Sequence, residues 1–166
     1  MKSGEAIGPD EGELPGLSKA FFQEVEEALA ARDLERIDAV IENLHPADSA
    51  ELLEAPDPDE RRLLLRLVGN NLAPETLSYL EESLREEVAG ALGPQVVANI
   101  LELLESDDAL AFFEDLDEEL RAQILARVPV TIRRLLQEGL TYPEDSAGRL
   151  MQRETVVVPS IWTVGE

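Results

Sequence analysis

Apolar residues recur along this chain at three- and four-residue spacing, in short blocks that polar, proline-marked boundaries separate about every dozen residues. Phe21, Phe22, Val25, Ala28 and Leu29 form one stripe, and Leu34, Ile37, Val40, Ile41 and Leu44 form the next, so the spacing predicts an opening helical hairpin. Ser18 is placed to cap its first helix. Further stripes follow at Leu52 and Leu53, at Leu63, Leu64, Leu67 and Val68, at Leu77 and Leu80, and at Leu84, Val88 and Leu92. The pattern continues through Val96, Ile100, Leu101 and Leu104, then Leu110, Phe112, Phe113 and Leu116, then Leu120, Ile124 and Leu125, and ends with Ile132, Leu135 and Leu136.

The boundaries read as helix starts and not as breaks. Pro46 follows His45, and Asp57-Pro58-Asp59-Glu60 sets a capping Asp before a proline at the first helical position and a Glu at the third. Pro74 and Pro94 recur in similar places. Helices this short are unstable alone. Stacked hairpin on hairpin, each buries its stripe against the next, which is the logic of an α-solenoid. A compact bundle needs fewer and longer helices, and the proline spacing argues against it.

The two ends differ from this pattern. Met1 to Gly16, with Gly4, Gly8, Pro9, Gly12, Pro15 and Gly16 among scattered acids, has too little apolar surface to offset the entropy of ordering and reads as a flexible tail. Glu154-Thr155-Val156-Val157-Val158-Pro159 is a β-branched run closed by proline, the pattern of a single strand. A lone strand is not a fold, so it reads as the first element of a further, truncated domain.

Charge changes the picture most. In 166 residues Lys plus Arg number 14 and Asp plus Glu 36, a formal net charge of −22. Such a surface repels phosphate backbones and anionic lipid faces, which argues against a nucleic-acid partner and against direct membrane insertion, and it attracts cations. No run approaches the roughly 18 apolar residues that span a bilayer, and Met1 to Leu14 has no signal-peptide pattern. Cysteine is absent and His45 is the single histidine, so thiolate chemistry and an imidazole metal cage are both excluded. No phosphate-binding glycine loop, G-x-S-x-G, H-E-x-x-H or dinucleotide pattern occurs, so the chain is not expected to be an enzyme and no catalytic residue is assigned.

Two separated motifs carry a family resemblance. Tyr142-Pro143-Glu144-Asp145-Ser146-Ala147-Gly148-Arg149-Leu150-Met151, with the strand and Thr163-Val164 after it, resembles the junction in MgtE-type magnesium transporters where a helical cytosolic N domain meets the first CBS domain. Leu44-His45-Pro46-Ala47-Asp48-Ser49-Ala50-Glu51-Leu52-Leu53 resembles the first helical repeat of that N domain. The resemblance implies an all-α fold, a right-handed superhelical stack of short helices (an armadillo-like α-solenoid) with one trailing β-strand from a truncated CBS domain. The expected division is a flexible tail over 1–16, the N domain over 17–140, a junction helix or linker over 141–153 and the first CBS elements over 154–166. It further implies a cytosolic Mg2+-sensing regulatory domain on the cytoplasmic side of the cell membrane, which docks onto the CBS region and favours a closed pore when Mg2+ bridges acidic faces. The implied partners are the CBS domain and membrane pore of the same polypeptide, a homodimeric inner-membrane parent, with this piece itself a monomer. The alternative is a helical-repeat protein-interaction module without an ion role.

Glu105-Ser106-Asp107-Asp108 is the candidate site. Locally, Ser106 reads as a helix cap and the acids as first-turn residues favoured by the helix dipole. The same placement presents the Asp107 and Asp108 oxygens outward, where a hydrated dication can be held. Mg2+ suits such a half-site because it is hard, prefers carboxylate oxygen and keeps most of its water, while Mn2+ and Ca2+ accept the same oxygens and the residues do not choose among the three. The resemblance places Asp107 and Glu75 on the face that meets the CBS region, giving Asp107, Glu75 and Asp108 as weak Mg2+ ligands shared with a second domain. Ala111 stands where many family members carry another Asp, which puts a second ion in doubt unless Asp108, Glu114 or Asp115 compensates. Glu114-Asp115 and Asp117-Glu118-Glu119 otherwise read as solvated faces and caps. His45 reads as a cap or packing residue, Trp162 as a CBS core residue, Arg149 as a partner of Glu144 or Asp145, and Gly148 with Ala147 as a close backbone approach.

Overall fold

The computed structural model describes residues 17–69, 71–144 and 146–153. The expected tail over 1–16, the strand over 154–159, Trp162 and Asp145 lie outside the described residues. Within them every regular element is an α-helix: α1 Lys19–Ala31, α2 Leu34–Ile41, α3 Pro46–Glu54, α4 Pro58–Val68, α5 Thr76–Tyr79, α6 Glu82–Leu92, α7 Pro94–Leu103, α8 Ser106–Glu114, α9 Glu118–Leu125 and α10 Val130–Gly139.

The starts follow the capping chemistry of the sequence. Ser18 Oγ accepts from the Phe21 N–H at 3.2 Å, and His45 Nδ1 accepts from the Ala47 N–H at 3.2 Å. Asp57 Oδ1 takes both the Asp59 and Glu60 N–H groups, at 2.9 and 3.0 Å, and Asp117 Oδ1 takes that of Leu120. Pro46, Pro58 and Pro94 occupy first-turn positions, where the missing N–H removes a donor that has no intrahelical partner. Between α6 and α7 the chain turns at Gly93 with φ +83°, a left-handed conformation that a side chain would strain. Pro74 is the exception among the prolines: it precedes a single turn of helix, α5, and does not open a full one.

Helices pack mainly on near neighbours in sequence: α1 on α2, α4 on α6, α6 on α7, α7 on α9, α8 on α10, while α5 lies against both α3 and α8. The apolar stripes merge into one continuous core from Val25 to Leu136, whose largest fully enclosed side chains include Phe112, Phe113, Ile37 and Leu53. Tight seams need small residues. A Cβ on Gly139 would fall 2.4 Å from Leu110 Cδ2, so α10 approaches α8 this closely only with glycine there.

An arginine device recurs at the second helix of a hairpin. Arg61, 5% exposed, donates from Nε to the Leu53 carbonyl (2.6 Å) and from Nη2 to the Pro56 carbonyl (2.9 Å), closing the carboxyl end of α3, and its Nη1 pairs with Glu87 at 2.9 Å. Arg133 repeats the arrangement, with Nε on the Leu125 carbonyl (2.7 Å) and Nη2 on that of Val128 (3.3 Å). Helix ends leave carbonyls without intrahelical donors, and here the next helix supplies them.

Replacing Arg61 by Leu leaves these carbonyls and Glu87 unpaired, and is expected to lower stability by about 2–4 kcal/mol in urea denaturation. Arg36→Leu removes an exposed pair with Glu24 and is expected to cost less than about 1 kcal/mol. Phe112→Ala, which empties a fully enclosed site, is expected to cost about 3–5 kcal/mol by the same measurement.

Candidate functional site

Helix α8 begins the candidate site. Its N-cap is Glu105, which makes no side-chain capping bond, and Asp107 and Asp108 fill the first turn, where the positive end of the helix dipole favours carboxylates. Ser106 is not the cap that its position suggests. It is buried in the first turn, and its Oγ accepts the Arg153 N–H at 2.8 Å, because the chain after α10 returns across the start of α8.

Two concavities flank this helix start. One, of about 430 Å³, is lined by Glu75, Ser78, Tyr79, Leu103, Leu104, Glu105 and Asp108. The other, of about 190 Å³, is lined by Asp107, Asp108, Leu110, Ala111, Glu114, Arg149 and Leu150. The structure thus brings Glu75 and Asp108 to one hollow and sets Asp107 in the next, with Asp108 bordering both. Glu75 is exposed at the N-cap of α5 and makes no capping bond. Asp107 Oδ1 is buried without a hydrogen-bond partner among the described residues. An orphaned carboxylate oxygen beside a second carboxylate is the donor chemistry of a hard cation, so these residues fit one side of a Mg2+ site. Among the described residues no group of three or more His, Asp or Glu side chains forms a ready metal cluster.

Glu114 and Asp115 are not the solvated acids that the sequence suggests, whereas Asp117 caps α9 and Glu118 and Glu119 are exposed, as expected. Asp115 Oδ2 pairs with Arg85 Nη1 at 2.6 Å, both side chains 18% exposed. Glu114 Oε2 pairs with Arg149 Nε at 2.6 Å. Arg149 therefore does not bond Glu144, as expected from proximity in sequence, but reaches 35 residues back into α8. Both pairs join residues far apart in the chain, which no local pattern discloses. Their carboxylates already hold a cation, so neither stands in for the acid that Ala111 lacks.

Tyr79 and Leu103 were not singled out in the sequence, yet they stand 54% and 70% exposed on the rim of the larger hollow. They continue apolar stripes at helical spacing, and nothing local separates them from core positions. His45 fulfils its expected role as a cap and also meets the Tyr79 ring edge-on, with centroids 6.0 Å apart. At the carboxyl end of α10, Glu138 bonds Arg134 at 2.7 Å, and that hydrogen bond, then the guanidinium's charge, holds its carboxyl below the usual range. Among the described residues no helix is long and apolar enough to cross a membrane.

Comparison with known proteins places these features in context. Residues 44–145 match the MgtE intracellular N domain family. Over 127 residues, 76% of this chain, the sequence is 29% identical to the magnesium transporter MgtE of Bacillus subtilis (strain 168), of which it spans 28%. The fold superposes with TM-score 0.72 and 28% identity on the cytosolic domain of the Mg2+ channel MgtE solved in complex with ATP, covering 82% of this chain and 56% of that one. It superposes with TM-score 0.70 and 20% identity on the soluble part of a magnesium transporter, covering 81% of this chain and 54% of that one.

Asp115→Asn is expected to lower stability by about 1–3 kcal/mol, since it removes a charge-assisted bond from a half-buried guanidinium. Glu118→Gln, at an exposed position of α9, is expected to stay within about 0.5 kcal/mol, and urea denaturation of the two variants checks both values.

Proposed function

The chain belongs to the MgtE intracellular N domain family, and from that premise we propose that it is the cytosolic Mg2+-sensing regulatory domain of a magnesium transporter or channel. One observation carries the reading: Glu75, Asp107 and Asp108 border two adjoining hollows, and no side-chain hydrogen bond or ion pair joins any of them to a described residue. The helices beneath them are the right-handed armadillo-like stack of the family, and the segment after residue 153 opens the first CBS domain.

The surface acts as one half of a split site. Two unit charges 4 Å apart at an effective dielectric near 20 interact by about 4 kcal/mol, so a few carboxylates facing an acidic CBS surface suffice to hold the two apart. Bound Mg2+ supplies positive charge while retaining most of its water, which lets carboxylates on both surfaces share it. Asp107 and Asp108 contribute from the first turn of α8, at the positive end of the helix dipole, and Glu75 contributes from the N-cap of α5 across the larger hollow. Exposed Tyr79 and Leu103 offer apolar contact beside the acids once the surfaces meet. The docked arrangement, favoured because the ion binds it better, shuts the pore of the parent homodimer.

Titrating Mg2+ into the 166-residue chain is expected to give weak, fast-exchange amide shifts centred on Glu75, Asp107 and Asp108 in NMR spectra. Tight stoichiometric binding by this chain alone would contradict a split site. In the longer protein with its CBS region, Mg2+ is expected to protect against proteolysis, and Asp107→Lys with Glu75→Lys to abolish that protection. A helical scaffold without an ion role would show no Mg2+ protection in the parent.

A further inference from the structure

The turn segment after α10 is built into the helical domain more firmly than a linker needs to be. Arg149 is 8% exposed, and besides Glu114 it donates from Nη1 to the Gly139 carbonyl at 2.9 Å and to the Tyr142 carbonyl at 3.3 Å. Four residues on, the Arg153 N–H reaches Ser106 Oγ, and the Arg153 guanidinium lies 5.4 Å from the centre of the Tyr142 ring. Gly148 fits beneath that ring: an added Cβ would stand 2.6 Å from Tyr142 Cδ1. These contacts tie the segment to α8 and α10 together, beside Asp107 and Asp108.

We propose that residues 142–144 and 146–153 form a latch across the start of α8, pinned by Arg149, and that the same guanidinium is the resident cation that holds down the cation affinity of Asp107 and Asp108. The latch stands on the geometry alone, while its effect on affinity rests on the Mg2+ reading above. Any swing of the helical domain carries the latch with it, so the pivot does not lie within residues 146–153. A charge change at the start of α8 then acts directly on the path by which the chain leaves the domain. Glu114 does the positioning: its Oε2 accepts from Nε at 2.6 Å and fixes the guanidinium at the edge of the hollow that Asp107 and Asp108 also line, partly offsetting its charge.

Limited trypsin digestion of the 166-residue chain without Mg2+, read by mass spectrometry, tests the latch. Cleavage after Arg149 is expected to be at least about tenfold slower than after exposed Arg127, and E114Q is expected to erase most of that difference, since a charge-assisted bond contributes about that factor. G148A, which pushes on the Tyr142 ring without changing charge, is expected to raise amide exchange over 146–153 while the exchange of α3 and α4 stays unchanged. Equal cleavage at Arg149 and Arg127 in the native chain, or unchanged exchange over 146–153 in both variants, overturns the latch. For the cation, amide shifts of Asp107 and Asp108 are followed against Mg2+. R149Q is expected to move the midpoint roughly three- to tenfold lower and E114Q to move it higher. Equal midpoints in all three proteins overturn the affinity role, whereas absence of any Mg2+ shift, with the latch protected, counts against the Mg2+ reading and leaves the latch supported.

Discussion

A stack of one- to three-turn helices multiplies helix ends, and each carboxyl end carries carbonyls that the helix itself cannot satisfy. Exposed ends can turn to water, but the ends of α3 and α9 are closed by a side chain of the helix that follows. Arginine is the side chain best suited to them, since a single planar fork presents donors to two carbonyls at once. Arg61 and Arg133 do this with the same reach, to carbonyls eight and five residues upstream. Arg85 closes the Leu80 carbonyl and touches that of Ala111, and Arg149 closes those of Gly139 and Tyr142. The recurrence at matching offsets marks a repeat that amino-acid identity alone hides.

That use of arginine shapes the electrostatics of the whole surface. The chain has 14 basic side chains against 36 acidic ones, and four of its arginines point inward at helix ends. Three of the four also hold a carboxylate, at Glu87, Asp115 or Glu114, so the acids nearest the core are neutralised from within. Glu75, Asp107 and Asp108 form no ion pair with a described residue. The fold therefore separates carboxylates that pair with core arginines and stabilise the stack from others, Glu75, Asp107 and Asp108, that it leaves unpaired among the described residues.

The sequence disclosed what is decided within one helical turn. Ser18, His45, Asp57 and Asp117 each accept from a backbone N–H two or three residues ahead, so cap and apolar stripe sit in the same short window and fix both the start and the buried face. Asp107 and Asp108 were legible as first-turn acids for the same reason. What escaped was settled across the stack. Ser106 has the local pattern of a cap and is drawn instead to Arg153, 47 residues away. Glu114 and Asp115 look like surface acids until the chain returns with Arg149 and folds Arg85 against them. The split between the Glu75 and Asp107 hollows was equally hidden, because it depends on how α5 docks on α8.

This separation bears on why a sensor would leave its site incomplete. Gathering three carboxylates into one cage within a single domain sets like charges together in both states of the protein, and an ion bound there would have no preference between docked and free arrangements. Spreading Glu75, Asp107 and Asp108 over two hollows keeps the repulsion among them low in the free domain. On the proposed reading, the cost of crowding arises only when a second acidic surface closes over them, and so does the gain from an ion between the two. Weak affinity in isolation is, on the proposed reading, the property that lets occupancy report docking. Arg149 at the edge of the smaller hollow works in the same direction, since a fixed positive charge beside Asp107 disfavours a cation there until further carboxylates arrive.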